Sequence, residues 1–109
     1  MTTVNELLQN ENFKALSLPD GERQITGAYA GDLLSWVMGR AKPGQCFVTI
    51  MTNINVLAVA SLLDLPCVII CEDACLADDF VKAAKDKDIN LLRTALPTYE
   101  TCVLLGKML

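Results

Sequence analysis

A chain of 109 residues with 52% hydrophobic content has room for one domain and one core. Its 13 acidic and 9 basic residues give a net charge of −4, with no Lys/Arg cluster to neutralise several phosphates, which argues against nucleic-acid binding. Histidine is absent, which removes Ser-His-Asp and Cys-His triads, His-ligated zinc and imidazole as a general base.

Thr3-Val4-Asn5-Glu6 has the capping-box pattern and predicts a short helix through Gln9. Phe13 to Ser17 is an extended run, and Leu18-Pro19-Asp20-Gly21 is a turn by composition. Ile25 to Ala30 reads as one strand, with Ile25 and Tyr29 on its core side. Asp32 stands where it can cap a helix running from Leu33 to Arg40, whose apolar residues point in nearly every direction. Lys42-Pro43-Gly44-Gln45 stops that helix. Cys46 to Met51 is apolar at both parities, the mark of a parallel strand covered on both faces. Thr52-Asn53 turns the chain into a helix from Ile54 to Leu63, again apolar almost all round. Cys67 to Cys71 is a second buried strand. Asp78 to Lys87 is an amphipathic helix, Ile89 to Leu92 a short strand, and Pro97 opens a last helix.

Helices alternating with buried strands predict a single three-layer α/β domain over residues 1–109, its mainly parallel sheet flanked by helices. Pro43 to Leu63 carries no charged residue and is long enough to span a bilayer. Its polar residues, and its division into a strand-like and a helix-like half, argue for a buried strand, turn and helix instead. The start of the chain has no basic stretch followed by an apolar one. With an odd five cysteines, this favours reduced thiols and a cytoplasmic protein.

Four groups of residues bear on chemistry. In open α/β sheets ligands sit beyond the carboxyl ends of the strands, where Thr52, Asn53 and Asn55 would hydrogen-bond an anion or a carbonyl; the plainer reading is that Thr52 or Asn53 only caps the helix. Cys67, Cys71 and Cys75 are spaced by four, which does not match the paired two-residue gaps of structural zinc. Cys67 and Cys71 read as core thiols, and Cys75, in a loop, as the thiol most open to reaction. Glu72, Asp73, Asp78 and Asp79 would suit a hard cation, but acids in a first helical turn commonly serve the helix dipole. Finally, Glu22-Arg23 before a strand suggests a local ion pair that locks a loop. No phosphate-binding glycine motif is present.

The run Glu22-Arg-Gln-Ile-Thr-Gly27 continues into Ala-Tyr-Ala-Gly-Asp-Leu-Leu-Ser-Trp-Val-Met, then Pro-Gly and a strand. Residues 53–62 read Asn-Ile-Asn-Val-Leu-Ala-Val-Ala-Ser-Leu. On these stretches, and over nearly its whole length, the chain resembles the DRTGG domain family. Glu22 stands where the name-giving Asp would be, and Thr26-Gly27 is offset from the motif. The resemblance implies a regulatory domain that pairs with itself. Such domains accompany CBS pairs, occur in phosphotransacetylases, and stand alone in anaerobic bacteria near iron-only hydrogenase genes. They are related to the non-catalytic N-terminal part of HPr kinase. Matching positions carry over Glu22, Arg23, Gly27, Asp32, Asn53 and Asn55.

The expectation is therefore a non-catalytic regulatory or ligand-sensing domain with no cofactor, metal or membrane partner. It binds a small anionic metabolite or nucleotide through Arg23, Asp32, Thr52, Asn53 and Asn55. A homodimer is expected through Leu34, Trp36, Val37, Met38, Val56 and Val59, because one sheet cannot cover a helix that is apolar all round. A redox or iron–sulfur-linked accessory protein using Cys71 and Cys75 is the alternative, and a purely structural dimerisation module the second.

Overall fold

The computed structural model describes residues 2–109. The elements in chain order are β1 (Thr2–Thr3), α1 (Val4–Leu7), β2 (Lys14–Ser17), β3 (Gln24–Ile25), β4 (Gly27–Ala30), α2 (Leu34–Arg40), β5 (Gln45–Thr49), α3 (Asn55–Leu62), β6 (Val68–Ile70), α4 (Asp78–Asp86), β7 (Leu91–Arg93) and α5 (Thr98–Met108). A five-stranded sheet runs β2-β7-β6-β5-β4. Its last four strands are mutually parallel, and β2 is added antiparallel to β7. β1 and β3 form a separate antiparallel ribbon.

The central strands β5 and β6 are buried on both sides, which is why they are apolar at both parities. On one face Val37 of α2, Val56 and Leu57 of α3 and Phe80 of α4 pack over Phe47, Val68, Ile70 and Leu91. On the other, Val4 and Leu7 of α1 and Leu105 of α5 pack over Cys46, Val48, Cys67, Ile69 and Leu92. This is the three-layer α/β arrangement expected from the sequence.

Local chemistry fixes most boundaries. The Thr3 side chain accepts from the Glu6 N–H at 3.1 Å, and the Glu6 carboxylate accepts from the Thr3 N–H at 3.3 Å, completing the capping box of α1. The Gln45 N–H donates to the Lys42 carbonyl at 3.1 Å, with Pro43 and then Gly44 at φ 89° between them. That is a type II turn, with Pro and Gly each at the position the geometry favours. One expectation fails here. The single strand expected over 25–30 is two strands in different sheets: Ile25 pairs with Thr2, and Gly27 starts the pairing with Gln45. The chain changes sheets at the exposed Thr26.

Candidate functional site

The carboxyl ends of β4 and β5 lie side by side, and Asp32 ties them together. One of its carboxylate oxygens accepts from the buried Thr49 hydroxyl at 2.7 Å and from the Ile50 N–H at 3.0 Å. Asp32 was expected to cap α2, but the N-cap is the extended Leu33, with no side-chain cap bond. The carboxylate serves a cross-strand tie because Thr49 and Ile50, 17 and 18 residues later, present donors to it. The other carboxylate oxygen has no protein donor among the described residues.

Next to Asp32 lies a cavity of about 230 Å³ walled by Tyr29, Gly31, Leu33 and Trp36. Trp36 is 54% exposed, and the Arg40 guanidinium lies 3.9 Å from its ring centroid. Thr52, Asn53 and Asn55 are all exposed beyond the end of β5. The Asn53 side-chain oxygen accepts from the Asn55 N–H at 2.8 Å, and its carbonyl accepts from Val56 at 2.9 Å. Asn53 thus shapes the entry to α3 while its side-chain NH2 stays outside.

Arg23 is elsewhere. Its guanidinium pairs with Asp64 at 3.1 Å and donates to the carbonyls of Asp64 (2.8 Å) and Leu65 (3.3 Å). These groups follow α3 and precede β6, so Arg23 sits at the amino end of the parallel strands, opposite Thr52–Asn55. It cannot be the charge partner of a ligand bound there. Its position matches a helix C-terminus, where a cation meets unpaired carbonyls and the negative end of the dipole. The expected Glu22–Arg23 ion pair is likewise absent: the Glu22 carboxylate accepts from the Asn5 amide at 2.8 Å. Gly27 is not demanded by its backbone, since a side chain there would meet only Gln45, at an ordinary 3.8 Å.

The six residues expected to face a partner divide. Val37, Val56 and Val59 are buried in the chain's own core, a correction whose cause is the packing of α2 and α3 on the sheet and on each other. Leu34 is half-buried against the same core. Trp36 and Met38 are exposed. Leu33, Ile50, Ile54 and Leu62, which the sequence reading left out of this surface, are exposed as well.

The cysteines are dispersed. Cys46 in β5 and Cys67 immediately before β6 are both buried, and hydrogen bonding to Cys46 and then burial push the Cys67 thiol well above the usual range. Burial also raises Cys71, whose sulfur lies 3.4 Å from the Thr101 hydroxyl, and burial raises Cys102. Cys75 is exposed. Among the described residues, no group of three or more Cys, Asp or Glu side chains converges as a metal site. Asp78 and Asp79 stand in the first turn of α4, where the helix dipole favours them. Asp73 belongs to a different feature: at φ 51° beyond β6 it pairs with Arg93 of β7 at 3.0 Å, beside a second cavity. Nothing in the residue spacing brings Lys14, Asp73 and Arg93 together, because they meet only through the pairing of β7 with β2 on one side and with β6, which Asp73 follows, on the other.

A family model described as HPr serine kinase N terminus matches residues 53–109, just over half of the chain. The chain belongs to that family. The matched part runs from the α3 entry through α5, and so leaves out Glu22, Arg23 and Asp32. The structure is also similar to the crystal structure of the CBS and DRTGG domains of the regulatory region of a Clostridium perfringens pyrophosphatase, complexed with its activator diadenosine tetraphosphate. The TM-score is 0.70 at 14% identity, over 95% of this chain and 45% of that one. The chain therefore spans less than half of the structure it matches, and the likeness establishes a DRTGG-type fold. No curated protein matches the sequence. No helix among the described residues is long and apolar enough to cross a membrane.

Proposed function

We propose that this member of the HPr serine kinase N-terminus family is a non-catalytic regulatory domain that senses a small metabolite or nucleotide and works as a homodimer. The observation that carries the ligand reading is the joined end of β4 and β5. There a carboxylate oxygen of Asp32 without a protein donor and the exposed Trp36 line a cavity, and the exposed Thr52, Asn53 and Asn55 stand beyond the end of the adjoining β5. An apolar wall beside hydrogen-bonding groups suits a ring bearing hydroxyl or amino donors, and a nucleoside has that character. Arg40, stacked on Trp36, supplies positive charge for an attached anion, in place of Arg23. The likeness to a regulatory region crystallised with a dinucleotide activator supports the same direction.

A thermal-shift screen with nucleotides, phosphates and acyl phosphates tests this. A ligand that binds only the native state at 100 times its Kd stabilises it by about 2.7 kcal/mol. We expect a rise in melting temperature that shrinks in Asn53→Ala and Trp36→Ala. No rise across the whole panel would favour the structural dimerisation module. The redox alternative has little geometric support, because Cys71 is buried and raised in pKa whereas Cys75 stands on the surface.

A further inference from the structure

We propose a second, smaller binding site for an oxyanion at the other side of the sheet, where β7 ends against β2. Lys14 and Arg93 are direct partners in the antiparallel β2–β7 register. Like charges placed opposite one another across two strands repel, and repulsion of this kind is relieved when an anion bridges them. Only half of that relief is present. Asp73 meets Arg93 through its carboxylate at 3.0 Å and its carbonyl at 3.1 Å, both at the same nitrogen, Nη2. Lys14 has no carboxylate within ion-pair distance among the described residues.

The rest of the guanidinium is unspent. Nη1 makes no hydrogen bond within the described residues, and Nε is buried without an acceptor. A buried donor with no partner is costly. The planar fork of arginine is matched by the two oxygens of a carboxylate or phosphate, so a bound oxyanion that turned the fork towards itself would supply the missing acceptors.

A cavity of about 210 Å³ opens at this point, lined by Lys14, Arg93, Asp73, Thr94, Glu11 and Asn12. Its walls carry four charged side chains and no aromatic face, so it suits a single phosphate or a short carboxylate rather than a nucleoside ring. Its two carboxylates, from Glu11 and Asp73, balance the two cations and disfavour a highly charged ligand. The place is also the one the fold favours, the carboxyl end of a parallel strand.

The probes are sodium phosphate and sodium acetate, titrated into the 15N-labelled chain against sodium chloride at equal ionic strength. We expect saturable shifts at the Lys14, Arg93, Thr94 and Ala95 amides, absent with chloride; the stronger of the two probes tells phosphate from carboxylate recognition. Lys14 is exposed, so Lys14→Ala keeps the fold and should weaken binding by about fivefold, the upper worth of one partly exposed charge contact. Arg93→Lys, which keeps the charge and loses the fork, should weaken it further. Asn53→Ala should leave it unchanged, which separates this site from the one beside Trp36. Shifts no larger than those with chloride, or the same affinity in Lys14→Ala, would overturn the proposal.

Discussion

The five thiols divide by depth, three buried, Cys102 half-buried and Cys75 exposed, and that makes them readily measurable single residues. Cys75 is exposed while Cys46, Cys67 and Cys71 are buried. A thiol reagent should therefore modify one cysteine rapidly in the native protein and the buried ones only after unfolding; rapid, equal modification of Cys71 and Cys75 would revive the redox reading. The raised thiols of Cys67, Cys71 and Cys102 also carry a pH dependence. Below about pH 8.5, the ordinary thiol value, both states keep their protons and nothing is lost. Above it the unfolded chain ionises first and holds fewer protons than the native one, so stability falls as pH rises. Urea midpoints measured between pH 7 and about pH 10 should decline, and less steeply in Cys67→Ala. Equal slopes in the two proteins would remove Cys67 as a cause. The parity of Cys67 and Cys71 in an apolar run already marked them as core. What the run could not give was the Thr101 hydroxyl beside Cys71, because it arrives from α5, 30 residues later.

At the scale of elements, what was legible is what neighbouring residues decide. The capping box of α1, the apolar strands β5 and β6 and the Pro-Gly turn before β5 all follow from contiguous residues. The turn gives a sharp prediction. Gly44 has φ 89°, and a Cβ there would collide with the Thr26 hydroxyl oxygen, so Gly44→Ala combines a left-handed backbone with a clash. The expected loss is about 1–2 kcal/mol, partly offset if Thr26 turns away. A calorimetric midpoint lower by about 4–8 °C for each kcal/mol is the readout. Thr26→Ser in the same chain should not restore it, since the offending oxygen remains, whereas Thr26→Ala should recover part. What escaped sequence reasoning depends on distant partners. β3 separates from β4 because its partner is Thr2. Arg23 turns from its neighbour Glu22 to Asp64, 41 residues on. Asn90 donates to the carbonyls of Asp20 and Pro66 and accepts from the Asp20 N–H, clamping the turn before Glu22 to the amino end of the sheet. Part of the apparent signature near residues 20–23 is therefore architecture.

At the scale of the molecule the open matter is what covers the remaining apolar surface. The sheet and the α2–α3 contact absorb Val37, Val56 and Val59, so these three are not available to a partner. Outside that core stand Leu33 (57% exposed), Trp36, Met38, Ile50, Ile54 and Leu62 (70%), all from α2, α3 and the turns that lead into them. Leu18, Tyr99, Val103 and Leu109 are exposed elsewhere, but six of the ten large exposed apolar side chains among the described residues belong to this pair of helices and its entry turns. A stable interface takes about 800 Å² from each partner, roughly a seventh of this chain's 5791 Å². A two-fold pairing presents the same patch on both copies, so each substitution in it acts twice. Met38 and Leu62 lie outside the wall of the Trp36 cavity, which allows assembly to be tested apart from ligand binding. In multi-angle light scattering at micromolar concentration the chain should have twice its own mass, and Met38→Lys with Leu62→Lys should have that mass once, with an unchanged circular dichroism spectrum. Both positions are exposed in the single chain, so the double variant has no core contact to lose and should melt at a temperature that no longer depends on protein concentration. A wild-type chain that is monomeric under these conditions would end the dimer proposal. The two binding-site proposals would stand, because each is built from residues of one copy.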